Sequence, residues 1–139
     1  MNDPRHILVP LDFSPFSDAA LEEAMRLASK FEATVHLLHV FTLQNQPESG
    51  SLEAERAEER SQLDAAASKF RASGHTAETV WREGDPGPQV ILAATQTHAD
   101  LIVLGSSGRS GWKRLLLGSV AEYVVRNATC NVLVVRHAA

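Results

Sequence analysis

Residues 101–124 read LIVLGSSGRSGWKRLLLGSVAEYV. Four apolar residues, Leu101 to Leu104, run straight into Gly105, and Gly108 and Gly111 follow among serines and basic side chains. A short, unbroken apolar run is the pattern of a strand covered on both faces. Behind the loop, Ser119-Val120-Ala121-Glu122 has Ser-x-x-Glu spacing. That spacing predicts a helix from Ser119 to Arg126 with Ser119 as its cap. In an open parallel sheet, ligands sit beyond the carboxyl ends of the strands at a topological switch point. Glycine lets backbone approach a ligand closely and take positive φ, and successive N–H groups can then form an anion nest. A helix N-terminus adds free N–H groups and the positive end of a dipole. Arg109, Lys113 and Arg114 add charge to the same stretch. The segment therefore reads as a phosphate cradle, with a plain glycine-rich turn after the strand as the structural alternative. It is not a P-loop, because no Gly-x4-Gly-Lys-Ser/Thr occurs. It is not the dinucleotide fingerprint either, because no Gly-x-Gly-x-x-Gly follows the first strand.

The rest of the chain repeats the strand-then-helix pattern. Ile7 to Leu11 predicts a buried strand with Pro10 at its end, since proline cannot donate to an inner ladder. Ser14-Pro15 starts a helix, with Ser14 as cap and Ala20, Ala24, Leu27, Ala28 and Phe31 at helical spacing. Thr34 to Phe41 is a second strand, and the polar stretch Thr42 to Ser51, with Pro47 and Gly50, a loop. Leu52 to Ser73 predicts a charged helix. Its inner face is read as Leu52, Leu63, Ala66, Ala67 and Phe70, with support from Glu53–Arg56 and Arg56–Glu59 pairs. Gly74 stops it. Thr76 to Arg82 is a third strand, Asp85-Pro86 caps a helix to about Thr97, and Asn131 to Arg136 is the last strand. The order β-α-β-α-β-α-β-α-β implies a mostly parallel sheet with helices on both faces and right-handed crossovers.

A chain of 139 residues predicts a single domain, residues 1–139, with one ordinary core. At this size roughly 70% of the unfolded surface is buried. Thirteen basic against 17 acidic residues give a net charge of −4. That argues against nucleic acid or an anionic membrane as the main partner. No signal peptide is evident, and no apolar run approaches the roughly 18 residues of a membrane span. The single cysteine, Cys130, excludes an internal disulfide and a multi-cysteine metal site. The expected compartment is the cytoplasm.

The glycine pattern Gly105-x2-Gly108-x9-Gly118-Ser119 resembles the nucleotide-binding signature of the universal stress protein family. ILVPLDFSPFSDAAL resembles that family's first strand and helix, VHLLHV its second strand, GDP the start of its third helix and NVLVVR its final strand. The resemblance implies an α/β fold of the adenine nucleotide alpha hydrolase type. That fold is an open five-stranded parallel sheet of order 3-2-1-4-5 between four helices, with Asp12 opposite Gly105 at the switch point. It implies ATP, ADP or AMP as ligand, with Mg²⁺ carried on the phosphates near Asp12, and a homodimer joined through Asn131 to Arg136. Residue by residue it implies Pro10 and Asp12 bordering the adenosine, the Val40 backbone meeting adenine, and Gly105, Gly108, Gly118 and Ser119 at the phosphates. Val120 follows them as in ATP-binding members, and Arg109 lies in the same loop. Ser107 stands where many members carry histidine, Asn131 where proline is common, and Trp112 is bulkier than usual.

Other chemistry-bearing residues read as structural. His36 and His39 differ in parity along one strand and point to opposite faces, so they share no metal. His6, His75, His98 and His137 read as surface residues, Cys130 as a small buried hydrophobe, and Trp81 and Trp112 as packing residues. Asp12 has a structural alternative as the cap of the turn into the first helix. The resemblance implies regulatory nucleotide binding in a stress response. Two rivals stand: a slow ATPase or phosphotransfer enzyme, for which Asp12 is the one evident base, and a nucleotide-free interaction module.

Overall fold

The computed structural model describes residues 2–43, 50–108 and 117–137. The elements are β1 (His6–Pro10), α1 (Pro15–Phe31), β2 (Thr34–Phe41), α2 (Leu52–Ala72), β3 (Ala77–Glu83), α3 (Pro86–Gln96), β4 (Leu101–Gly105), α4 (Ser119–Asn127) and β5 (Asn131–Val135). The five strands are all parallel, in the order β3-β2-β1-β4-β5. The fold class and strand order are those that the resemblance implies.

Strand parity divides the core. Ile7, Val9, Val35, Leu37, Leu101 and Val103 point to one face and pack with Ala20, Ala24 and Ala28 of α1 and Leu63, Ala67 and Phe70 of α2. Leu8, Leu38, Ile102 and Leu104 point to the other, against Val90 and Ala93 of α3 and Ala121 and Val124 of α4. Strands buried on both faces carry apolar residues at successive positions, which is why the alternation of an exposed sheet is missing from them. Three small alanines line the inner stripe of α1, so that helix lies close to the sheet. Ser14 caps it by accepting the Ser17 N–H at 3.3 Å.

Several local expectations are corrected. Leu52 is exposed, and the buried positions of α2 are Glu59, Leu63, Ala67 and Phe70, with Ala66 half-buried. The carboxylate of Glu59 turns inward because it has a buried imidazole to meet, described below. Arg56 accordingly reaches across to Glu83 of β3, 3.0 Å away, rather than to Glu53 or Glu59. The Asp85 side chain makes no capping bond at α3, and α4 is capped by the backbone of Gly118, with Ser119 as its first helical residue. Gly74, at φ +87, does end α2 in the left-handed region that glycine favours. β1 closes at Pro10, one residue early, but the Leu11 N–H still donates to the Leu38 carbonyl at 2.7 Å.

Candidate functional site

The chain crosses from one face of the sheet to the other between β1 and β4. There, at the carboxyl ends of the strands, lies a cavity of about 350 Å³. Its apolar part is built from Pro10 and Leu11 after β1, Leu38 and Val40 of β2, Pro86 and Val90 of α3, and Leu104. Its polar part is built from Asp12, Ser17, Thr42, Ser107 and Ser119 with the backbone of Gly105, Gly108, Gly118, Val120 and Ala121. Eight of the nine expected site residues meet in this one space: Pro10, Asp12, Val40, Gly105, Gly108, Gly118, Ser119 and Val120. Arg109, with Lys113, Arg114 and Trp112, lies outside the described residues. Ser17, Thr42, Pro86 and Val90 were missed by sequence reasoning, because each carries an ordinary helix or loop signal and only the topology brings them together.

The three described loop glycines are needed for closeness rather than for conformation, since none of them has positive φ. A Cβ on Gly105 would stand 2.6 Å from the Phe16 carbonyl oxygen, so this glycine lets the first turn of α1 pack on the end of β4. On Gly118 it would meet Ser107 Cα at 3.0 Å, where the Gly118 N–H donates to the Ser106 carbonyl. On Gly108 it would meet Asp12 Oδ2 at 2.8 Å. Gly108 is thus bare where the carboxylate stands.

The two helix N-termini at the cavity differ. In α3, Pro86 and Pro88 carry no N–H, so its first turn presents mostly apolar surface. In α4, the first intrahelical bond runs from the Glu122 N–H to the Gly118 carbonyl. The N–H groups of Ser119, Val120 and Ala121 precede it, no side chain among the described residues caps them, and all three residues line the cavity. The lining therefore combines apolar side chains with free backbone donors and a positive dipole end. Among the described residues Asp12 is the one ionisable side chain in the lining, and its Oδ1 accepts the Ser14 N–H at 3.1 Å. That bond is the structural role expected of Asp12 at the turn into α1, and the same residue lines the cavity.

The turn carrying Asp12 is braced from behind. Phe13 takes φ 64, a left-handed conformation that costs a non-glycine residue on the order of 1 kcal/mol. Its ring lies 4.5 Å from the imidazole of His39, which is buried and hydrogen-bonded to the Leu11 carbonyl and to Glu59. His36 lies on the opposite face, as parity requires, with His6 at 3.1 Å and Glu78 at 3.6 Å. Burial, foremost, and the neighbouring His6 push its pKa down against the pull of Glu78. His6 is therefore half-buried and paired, not a simple surface residue. Cys130 is half-buried, and burial raises its thiol pKa, as suits a packing residue. Trp81 packs on Phe41, with Arg60 over its ring. No group of three or more metal-ligating side chains occurs among the described residues. No helix among them is long and apolar enough to cross a membrane.

Comparison with known proteins places this geometry. The model of the universal stress protein family matches residues 4–136. A universal stress protein of Methanocaldococcus jannaschii is 37% identical over 139 residues, covering 95% of this chain and 82% of the relative. Among solved structures, UspA of Lactobacillus plantarum superposes with a TM-score of 0.82 at 30% identity, covering 95% and 97% of the two chains. A universal stress protein crystallised in complex with cAMP superposes with a TM-score of 0.76 at 25% identity, covering 99% and 100%.

Proposed function

The chain belongs to the universal stress protein family, and on that premise we propose that it binds ATP or a related adenine nucleotide in the cavity between β1 and β4 and acts by binding rather than by turnover. The observation that carries the reading is the polarity of that cavity. Leu38, Val40, Pro86 and Val90 offer an apolar compartment suited to a purine, and the uncapped first turn of α4 offers donors suited to phosphate. In this reading Pro10 and Asp12 border the adenosine, with Asp12 on the ribose or phosphate side, and the Val40 backbone meets the base. Gly105, Gly108, Gly118, Ser119 and Val120 line the phosphate end, and Arg109 would add charge there. Mg²⁺ would arrive on the nucleotide phosphates, with Asp12 as its candidate oxygen ligand. The relative crystallised with cAMP supports an adenine ligand for this architecture.

The reading is of a cytoplasmic regulator in a stress response. Asp12 is the one candidate base in the described lining, and it is already engaged by the Ser14 N–H, which favours binding over hydrolysis. A homodimer through residues 131–136 accompanies the proposal. β5 is an edge strand bonded to β4 alone among the described strands, and Val132, Leu133, Val134 and Val135 make it apolar. Such an edge favours pairing with a second copy. Mass spectrometry of small molecules released from freshly purified protein tests the ligand. An adenine nucleotide is expected, and consistent release of a ligand of another class would overturn the reading.

A further inference from the structure

One polar pair belongs neither to the apolar core nor to the cavity lining. His39 leaves β2 toward α2 and is 1% exposed, and Glu59 of α2 is 5% exposed. His39 Nδ1 lies 2.7 Å from the Leu11 carbonyl oxygen, and Nε2 lies 2.6 Å from Glu59 Oε1. A carbonyl only accepts, so Nδ1 carries a proton and donates it. The Nε2···Oε1 contact holds one further proton between ring and carboxyl. Whichever atom carries that proton, the pair is neutral as a unit and both ring nitrogens are satisfied. Burying such a pair costs desolvation, and a hydrophobic pair of the same shape would often serve stability as well. The pair's position gives it another use.

The imidazole meets the chain one residue before Asp12. Leu11 is held to β2 at both of its backbone groups, through its N–H to the Leu38 carbonyl and through its carbonyl to the His39 ring. One residue after Asp12, the left-handed Phe13 lays its ring against the same imidazole. Asp12 stands between these two anchors, with Oδ2 against Gly108. We infer that His39, seated by Glu59, is a positioning residue that fixes the turn from Leu11 to Phe13 and thereby sets where the Asp12 carboxylate stands in the cavity. The inference rests on the reading of that cavity as an adenine nucleotide site. It ties ligand affinity to α2, a helix that contributes no residue to the lining.

The test is calorimetric titration of the full chain with Mg·ATP in four variants. In Glu59→Gln the amide donates to Nε2 while Nδ1 keeps Leu11, so affinity stays within about twofold of wild type. Glu59→Ala leaves Nε2 unpaired and the turn loosened, and weakens binding about tenfold. Asp12→Ala with Glu59→Ala binds no more weakly than Asp12→Ala alone, because the helix acts through the carboxylate. A loss from Glu59→Ala that persists in full without Asp12 would overturn the inference, as would undiminished binding in Glu59→Ala. A wild type that gives no heat with Mg·ATP removes the nucleotide reading itself and the inference with it. If Glu59→Ala does not fold, nitrogen NMR of wild type decides. Both His39 ring nitrogens should be hydrogen-bonded and should shift on adding Mg·ATP, and an unshifted ring would overturn the inference.

Discussion

Replacing Gly108 with valine puts carbon where the Asp12 carboxylate now stands. A Cβ built on Gly108 lies 2.8 Å from Asp12 Oδ2, with Asp12 Cγ next at 4.0 Å among the described residues outside its chain neighbours, and valine adds two methyl groups beyond it. The obstacle is the end of a side chain rather than backbone, so in the free protein Asp12 can swing aside into the cavity. The stability cost then includes the Asp12 Oδ1 bond to the Ser14 N–H, on the order of 1 kcal/mol for a partly exposed charged acceptor. For a domain of this size that lowers Tm by about 2–4 °C. With nucleotide bound, the displaced carboxylate and the new methyl groups compete for the ligand's space. Overpacking of about 1–3 kcal/mol then falls on the complex. Mg·ATP affinity should fall by about 10- to 100-fold, read by calorimetry, with the melt recorded beside it. Gly108→Ala, with the Cβ alone, should lie between the two. A valine variant that binds within about twofold of wild type would refute the placement of Gly108 and Asp12 in the ligand's space.

Gly105→Ala should behave in the opposite sense, because its Cβ would stand 2.6 and 2.7 Å from the carbonyl oxygen and carbon of Phe16, which cannot rotate away. We expect a loss of about 1–3 kcal/mol by denaturant unfolding, and an unchanged midpoint would mean that α1 does not pack on the end of β4. Val134→Pro removes a ladder donor from β5 and should shift the protein toward monomer by light scattering while circular dichroism keeps its α/β form. A wild type monomeric at tens of micromolar would contradict the dimer. His36, whose pKa burial lowers, makes the folded state bind fewer protons than the unfolded one just below the ordinary imidazole value of 6.5. Its contribution is fully present above that value and is lost as pH falls through the lower folded pKa. Stability between pH 7 and 5 should therefore fall less steeply in His36→Gln than in wild type, and an identical slope would contradict the assignment.

The residues told some of this directly and some only by resemblance. Alternating apolar runs and helical periodicity located nine elements within a residue or two, because the inner strands β1, β2 and β4 are buried on both faces and each helix starts or stops at a serine, proline or glycine. Strand order is a long-range fact, and nothing local to Leu101–Leu104 says that it pairs with β1. The inward turn of Glu59 was illegible for the same reason: its partner, His39, is 20 residues away, and a helix dense in glutamate reads as solvated throughout. The loop glycines were legible as a group, but their reasons were not. Gly105 serves α1 and Gly108 serves Asp12, and neither takes the positive φ that glycine in a loop suggests. Ser119 illustrates the limit of a motif, since the capping-box spacing marked where the helix begins while the cap itself is the bare backbone of Gly118.

The central claim is that the β1–β4 cavity takes an adenine nucleotide. Thermal unfolding of the purified chain with and without Mg·ATP tests it most directly. A ligand held at 100 times its Kd stabilises a one-site protein by about 2.7 kcal/mol, which here amounts to a Tm rise of roughly 5–10 °C. The account predicts that rise with Mg·ATP, and a smaller one in Gly108→Val. A midpoint unmoved by millimolar Mg·ATP in nucleotide-free protein would contradict it.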